Sequence, residues 1–432
     1  MWLLDRIQGN LGHVLLDFSF YYPLFMAYVW MIGSLHYFFR FERHHAKKAL
    51  PPALSHYPGV SIVVPMFNEE ENVRETIGQL LRQNYPDFEI IAVNDGSRDN
   101  TGVILEELAS QHPRLRVVHL ASNQGKAMGL DMAALMSNHE FLVCIDGDAL
   151  LDENAVAWLM QHFVSGPRVG AVTGNPRIRN RSTLLGKIQV GEFSSIIGLI
   201  KRAQRTYGRI FTVSGVVCAF RKIALHDIGY WSRDMLTEDI DVSWKLQIFH
   251  WDIRYEPKAL CWILMPETLQ GLWKQRLRWA MGGVQVLLKY LPALLNWRKR
   301  RMWFIYLEFF VSVLWAYSMG MVFVLWGLGF FFELPPSLVV GTLLPGWNGV
   351  VIGSTCLLQI GISLILDARY EASHLSRKRW GVFRCYYWMI WYPLAYWLLN
   401  MLTTIWAVPA ALSRERNARA TWVSPDRGVQ PT

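Results

Sequence analysis

The sequence predicts an α/β domain with a mostly parallel sheet, held at a membrane by α-helical transmembrane segments. Three observations carry this expectation. Stretches free of acidic and basic side chains recur at lengths close to the ~20 residues that span a bilayer. Between residues 58 and 267, short apolar runs alternate with helix-like stretches, the pattern of a parallel sheet covered on both faces. Composition agrees: of 432 residues, 52% are hydrophobic and 18% charged, with mean hydropathy +0.17. Intrinsic disorder is excluded, since it requires the opposite balance. Five cysteines in a chain of this length exclude a disulfide scaffold. The net charge of +9 matters less than where the basic residues sit, and no nucleic-acid partner is expected.

Residues 1–17 place Leu4, Ile7, Leu11, Val14 and Leu15 at helical spacing, with Phe18 just beyond, as in an interfacial amphipathic helix leading into the span or, equally, in a longer first helix. Residues 18–39 hold no acidic or basic side chain except His36 and form the first span. The juxtamembrane linker, 40–57, opens with Arg40, Arg43, Lys47 and Lys48. By the positive-inside rule, this places the following domain, 58–267, in the cytosol. Residues 268–301 form interfacial helices ending in Arg298-Lys299-Arg300-Arg301, again cytosolic. Spans are expected at 302–333 and 347–366, with Arg377, Lys378 and Arg379 inside. The segment 385–413 contains Pro393 and Pro409 and either spans or breaks and turns back. Parity sends the tail, 414–432, outside, whereas Arg414, Arg416 and Arg419 argue for inside.

Within the domain, Val60–Val64, Glu89–Val93, Leu115–His119, Phe141–Ile145 and Val169–Thr173 read as buried strands. Helices are expected over Glu69–Gln83, Asn100–Gln111 and Gly125–Ser137. Ligands of such sheets bind beyond the carboxyl ends of the strands. The first strand runs into Pro65-Met-Phe-Asn68-Glu69, without the glycines of a dinucleotide-binding turn. The second ends in Asn94-Asp95-Gly96-Ser97 and the fourth in Asp146-Gly147-Asp148. Either turn alone is ordinary, because Asp-Gly favours turns. Two at neighbouring sheet ends crowd like charges and call for a cation. A D-x-D with few other oxygen ligands suits Mg²⁺ or Mn²⁺. Cys144 and Cys218 lie in apolar runs and are expected to be reduced and structural.

Thr237-Glu238-Asp239 opens a helix-like run. It either caps that helix and meets its dipole or supplies a general base. Gln275, Arg278 and Trp279 stand at i, i+3 and i+4 and so share a helix face. An amide, a guanidinium and an indole together suit sugar hydroxyls, phosphate oxygens and a pyranose face; an interfacial helix with an aromatic anchor is the plainer reading.

P-x-F-N-E, D-G-S, N-Q-G-K-A, D-G-D, T-E-D and Q-x-x-R-W, in this order, resemble the processive glycosyltransferases of family 2, which share a Rossmann-like GT-A fold. Gly174–Arg179, Ile188–Lys201, Tyr255–Pro266 and Trp422–Gly428 resemble the bacterial poly-β-1,6-N-acetyl-D-glucosamine synthases within it. The resemblance implies an inner-membrane enzyme that polymerises N-acetylglucosamine from UDP-GlcNAc and helps export the chain as a biofilm polysaccharide. Pro65, Asn68, Glu69 and Asp95 would frame the uridine, and Lys126 would reach the nucleotide. Asp146 would hold the ribose or diphosphate, Asp148 the metal, and Glu238 the substrate. Asp239 would be the base, and Gln275, Arg278 and Trp279 would bind the acceptor and diphosphate. Relatives work with a small transmembrane accessory subunit and respond to cyclic di-GMP. Arg177, Arg179 and Arg181, at period two, would face one way towards lipid headgroups or an anionic regulator.

Three rival readings differ in what they require. A chitin-, hyaluronan- or cellulose-type synthase would share every motif and differ in linkage. A single-transfer lipid-phosphate glycosyltransferase would not need Gln275, Arg278 and Trp279. A transporter or receptor that only senses nucleotide would not need Asp239.

Overall fold

The computed structural model describes residues 11–44, 46, 48, 50–343, 347–371, 386–389, 392–415 and 418–421. The first ten residues, Lys47, the Arg377–Arg379 loop, Arg416 and Trp422–Gly428 lie outside the described residues. An eight-stranded sheet organises the α/β domain: β1 (Val60–Met66), β2 (Phe88–Asn94), β3 (Leu115–His119), β4 (Phe141–Ile145), β5 (Leu150–Leu151), β6 (Val169–Ile178), β7 (Val217–Arg221) and β8 (Asp252–Ile263). Their order is β3-β2-β1-β4-β7-β6-β8-β5. β1, β2, β3 and β4 are mutually parallel, as are β6 and β8, while β7 runs antiparallel between β4 and β6.

Every residue of β1, β2, β4 and β6 is buried, which requires cover on both faces. Ile62 and Val64 face one core with α2 (Val73–Leu80) and α5 (Ala155–Val164). Val63 and Ile91 face the other with α4 (Lys126–Met136). Alternation of side chains along a strand is the reason one apolar run feeds two cores. Cys144 and Cys218 are buried opposite each other on β4 and β7, and both thiols are free.

Three strands were not evident in the sequence. β5 is two residues long, β7 lies outside the regular alternation of strand and helix, and β8 carries four charged residues that obscure its apolar pattern. The first helix begins at Val73, not Glu69, because Asn68 adopts a positive φ of 54° and Asn72 N–H closes a turn on the Glu69 carbonyl.

Among the described residues, four helices are long and apolar enough to cross a membrane: Leu11–Glu42, Trp297–Leu328, Trp347–Asp367 and Ala395–Ser413. The first is α1 (Leu11–Tyr37) continued by a π-helical turn, Phe38–Glu42. It shows no break near residue 17, where a separate interfacial helix was expected, because the apolar pattern runs on unbroken past Asp17. The third, α12 (Trp347–Asp367), matches its expected span closely.

α11 (Trp303–Leu328) resolves two proline problems. Pro23 in α1 cannot donate to the Ser19 carbonyl one turn back; Trp315 Nε1 donates to it at 3.0 Å. Pro409 in α14 (Tyr392–Ser413) likewise releases the Ile405 carbonyl, which accepts from Tyr317 Oη at 3.2 Å. In an apolar solvent, such carbonyls have no water to turn to.

Both ends of the fourth segment meet the α/β domain. Met389 sits in its core beside Val190 and Phe193. Ala420 N–H donates to the Arg233 carbonyl at 2.9 Å, and Arg419 to Gln124 Oε1 at 2.6 Å. Residues 418–421 are therefore on the side that the basic tail favours and parity does not.

A buried ion network joins the sheet to the membrane helices. Arg177 of β6 pairs with Asp367 at 2.6 Å and with Glu371 at 2.7 Å. Arg202 of α7 (Lys201–Thr206) pairs with Glu42 at 2.9 Å and with Asp367 at 3.1 Å. Arg181 also reaches Glu371, but Arg179 turns to Glu75. The expected row of three arginines facing one way does not form, because β6 ends at Ile178 and the period of two ends with it. Each of the three is paired with a carboxylate of the protein itself. Asp367→Ala would leave each of two buried guanidinium groups with a single carboxylate, Glu371 for Arg177 and Glu42 for Arg202, a loss of about 3 kcal/mol or more. A fall of several degrees in the thermal midpoint of the detergent-solubilised protein is the expected result.

Candidate active site

β1 and β4 lie side by side in parallel, and the connections leave them in different directions, which opens a crevice beyond their carboxyl ends. Into it projects the turn Asp146-Gly147-Asp148. Gly147 permits the tight fit there: a side-chain carbon would come within 3.0 Å of Met66 Cγ and 3.2 Å of Glu69 Cγ. Thr76 Oγ1 holds the same turn by donating to the Gly147 carbonyl at 2.9 Å.

The crevice is one end of a cavity of about 1200 Å³. Lys126, Asp146, Asp148, Glu238, Asp239, Gln275, Arg278 and Trp279 all line it. Eight of the residues singled out in the sequence are thus brought together from four separate segments. Pro65, Asn68, Glu69 and Asp95 are not among the lining residues; they form its framework. Pro65 and Glu69 pack beneath Gly147. Asn68 Oδ1 accepts from Arg98 N–H at 2.9 Å. Asp95 is fully buried and accepts from the N–H groups of Gln124 and Gly125 at 2.7 and 2.8 Å. That pair of bonds fixes the loop that delivers Lys126 at the start of α4. The two acidic turns are also not neighbours, because β1 lies between β2 and β4.

Lys126 is the cationic centre of the crevice. Its Nζ lies 2.5 Å from Asp146 Oδ1 and 3.2 Å from Glu238 Oε1, and donates to the Gly215 carbonyl at 3.0 Å. Burial works against the charged form, yet Asp146 and Glu238 hold the ammonium well above the ordinary lysine range. Asp239 opens α9 (Glu238–Ile248). Burial and the adjacent Glu238 carboxylate push it up to about 6, against the pull of Lys126 and Arg278. Gly215 leaves the space in front of it, for a side-chain carbon there would sit 3.2 Å from Asp239 Oδ2.

Gln275, Arg278 and Trp279 belong to α10 (Leu269–Leu294), whose start is capped by Thr268 Oγ1 accepting from Gly271 N–H at 3.0 Å. Between them stands Arg276, which was not singled out in the sequence. It is buried, pairs with Glu192 at 2.7 Å, donates to Gln275 Oε1 at 2.9 Å and lies 4.2 Å from the Trp279 ring centroid. Arg276 therefore positions both residues on either side of it. Asp241 was missed too. Two positions along a helix point to nearly opposite sides, so Asp239 addresses the cavity while Asp241 accepts from Lys289 Nζ at 2.7 Å and Tyr290 Oη at 2.8 Å on α10.

Beyond Trp279 the cavity continues between the membrane helices. Glu308, Ser312, Gln359, Asn400 and Thr403 line this part together with Trp30, Trp315 and Trp397. Glu308 accepts from Trp30 Nε1 at 3.0 Å. Hydroxyls, amides and indoles thus line this part of the cavity along otherwise apolar helices.

The model of the family described as glycosyltransferase like family 2 matches residues 58–282. The poly-β-1,6-N-acetyl-D-glucosamine synthase of Staphylococcus epidermidis is 40% identical over 419 residues, covering 95% of this chain and 98% of that one. The enzyme of the same name from Staphylococcus aureus (strain COL) is 37% identical over 413 residues, with 95% and 98% covered. Among solved structures, the mannosyltransferase PcManGT from Pyrobaculum calidifontis, in complex with GDP-Man and Mn²⁺, superposes with a TM-score of 0.51. It is 19% identical and covers 92% of this chain and 99% of that one, a likeness of fold.

Because Asp241 is the tie between α9 and α10, Asp241→Ala should loosen the helix that carries Gln275, Arg278 and Trp279. Amide hydrogen exchange over residues 282–290 is expected to accelerate at least about tenfold, with the sheet unchanged.

Proposed function

This chain belongs to the family 2 glycosyltransferases, and from that footing and the geometry of its cavity we propose that it polymerises N-acetylglucosamine from UDP-GlcNAc into a β-1,6-linked chain. The observation that carries the reading is the continuity of one cavity. It holds the acidic crevice and Lys126, then the Gln275, Arg278 and Trp279 face, then the polar lining between membrane helices. A transferase that adds a single sugar needs only the first of these. The names borne by the Staphylococcus relatives supply the sugar and the linkage. The enzyme would sit in the cytoplasmic membrane with its α/β domain in the cytosol, and the growing chain would leave through the helices.

In this reading, Asp239 takes the proton from the attacking hydroxyl of the chain end, in the space left by Gly215. A carboxylate brought up to about 6 is a stronger base than an ordinary one and is still ionised at neutral pH. Attack inverts the anomeric carbon as the bond to the diphosphate breaks. Lys126 and Arg278 face the charge that grows on the departing UDP. Trp279, held by Arg276, gives the terminal sugar a flat apolar surface, and Gln275 a hydrogen-bonding amide.

Among the described residues, no group of three or more His, Cys, Asp or Glu is arranged to hold a metal ion alone. Asp148, with Asp146 beside it, offers carboxylate oxygens and leaves the other positions to diphosphate and water. That donor set fits Mg²⁺ or Mn²⁺. Bound there, the cation would neutralise part of the diphosphate charge.

The direct test incubates isolated membranes with UDP-GlcNAc and digests the product with an enzyme specific for β-1,6-linked glucosamine polymers. Sensitivity is expected; resistance combined with sensitivity to chitinase would replace this reading with a 1,4-linked one. Asp239→Asn should abolish transfer and leave UDP affinity nearly intact in calorimetry. In the wild type, the rate should fall on the acid side with a midpoint near 6, as Asp239 takes up its proton. Glu238→Gln removes a like charge and should move that midpoint to lower pH.

A further inference from the structure

Lys201 is a buried cation without a carboxylate. It begins α7, lines the cavity and is 4% exposed. Its Nζ donates to Thr173 Oγ1 at 3.0 Å, and among the described residues no Asp or Glu lies within ion-pairing distance of it. Thr173 Oγ1 also accepts from Ser214 N–H at 2.8 Å, so Lys201 stands directly behind the Ser214-Gly215 segment that faces Asp239.

The neighbouring cations show how unusual this is. Arg177 and Arg202, in the same layer, are each held by two carboxylates. An isolated ammonium in such a place is costly, because it surrenders hydration without a counter-charge. Burial accordingly brings Lys201 down to about 8, even with Asp239 acting the other way. An ammonium has three protons to donate, and Thr173 takes one. Ile197 and Ile200, just before α7, put an apolar patch beside it in the cavity wall, between the polar Ser195 and Gln204.

A cationic donor beside an apolar patch matches an acetamido group, which presents one strong carbonyl acceptor and one methyl. We propose that Lys201 is a specificity-determining residue that binds the chain end by donating to the acetamido carbonyl oxygen of its terminal sugar. This rests on the reading of the cavity as that of an N-acetylglucosamine polymerase. It accounts for a lysine at a place where a methionine of similar length would bury no charge: the ammonium is satisfied by the acceptor, not by the fold. A free amino sugar would bring a second ammonium to the same place and be repelled.

The test uses the full-length protein in lipid nanodiscs, with UDP-GlcNAc and β-1,6-linked primers bearing either acetamido groups or free amines. Lys201→Met should slow elongation of acetylated primers about 10- to 100-fold, the weight of one hydrogen bond to a charged group. UDP affinity should be unchanged, the preference for acetylated primers should narrow, and the thermal midpoint should hold or rise. Lys201→Gln keeps a donor and should recover part of the rate. A Met variant that elongates at the wild-type rate, or that loses stability together with activity, overturns the proposal. If the wild type itself makes no β-1,6-linked polymer, the functional reading fails first and takes this one with it.

Discussion

Two guanidinium groups that never reach water, those of Arg177 and Arg202, govern how the two halves of this protein fit together. An arginine stays charged in any surroundings found inside a protein, so burial obliges it to find carboxylates. Here those carboxylates come from the ends of the apolar helices that meet the α/β domain: Glu42 after α1, and Asp367 with Glu371 at the end of α12. The π-helical turn at Phe38–Glu42 serves this contact, since it completes the helix just where Glu42 meets Arg202. Because Asp367 bridges both arginines, β6, α7, α1 and α12 have one mutual arrangement in which all charges are met. The floor of the cavity is thereby held in line with the helices that continue it.

Inside the membrane part, a different shortage is solved by the same economy of partners. Water cannot satisfy the carbonyls that Pro23 and Pro409 leave open, and α11 answers both from Trp315 and Tyr317. The prolines thus become docking points for one helix rather than defects in two. Polar side chains that would be expensive against lipid instead face the cavity, where a polyhydroxylated chain would meet them.

Charge in the crevice is arranged by neighbours as much as by the motifs themselves. Lys126 joins Asp146 to Glu238 and so links the β4 turn to the start of α9. Glu238 in turn keeps Asp239 poised near 6. Asp241, on the other side of the same helix, ties it to α10. Successive acidic residues therefore do three separate jobs, because a helix turns each one towards different company.

The local chemistry was open to inspection in the chain. Apolar stretches too long for a core showed the membrane helices, and alternating runs showed β1, β2, β3, β4 and β6. The D-G-D, T-E-D and Q-x-x-R-W motifs showed the residues that line the cavity. These depend on composition and on spacing within one element, which a sequence displays. Tertiary structure alone decided that β1 separates the two acidic turns, so that Asp95 supports the Lys126 loop instead of lining the cavity. It alone matched Arg177 and Arg202 to Glu42, Asp367 and Glu371, and it alone left Lys201 without a carboxylate. Partners more than a hundred residues apart are chosen by packing and by the cost of burying charge, and neither is a property of any short stretch of chain.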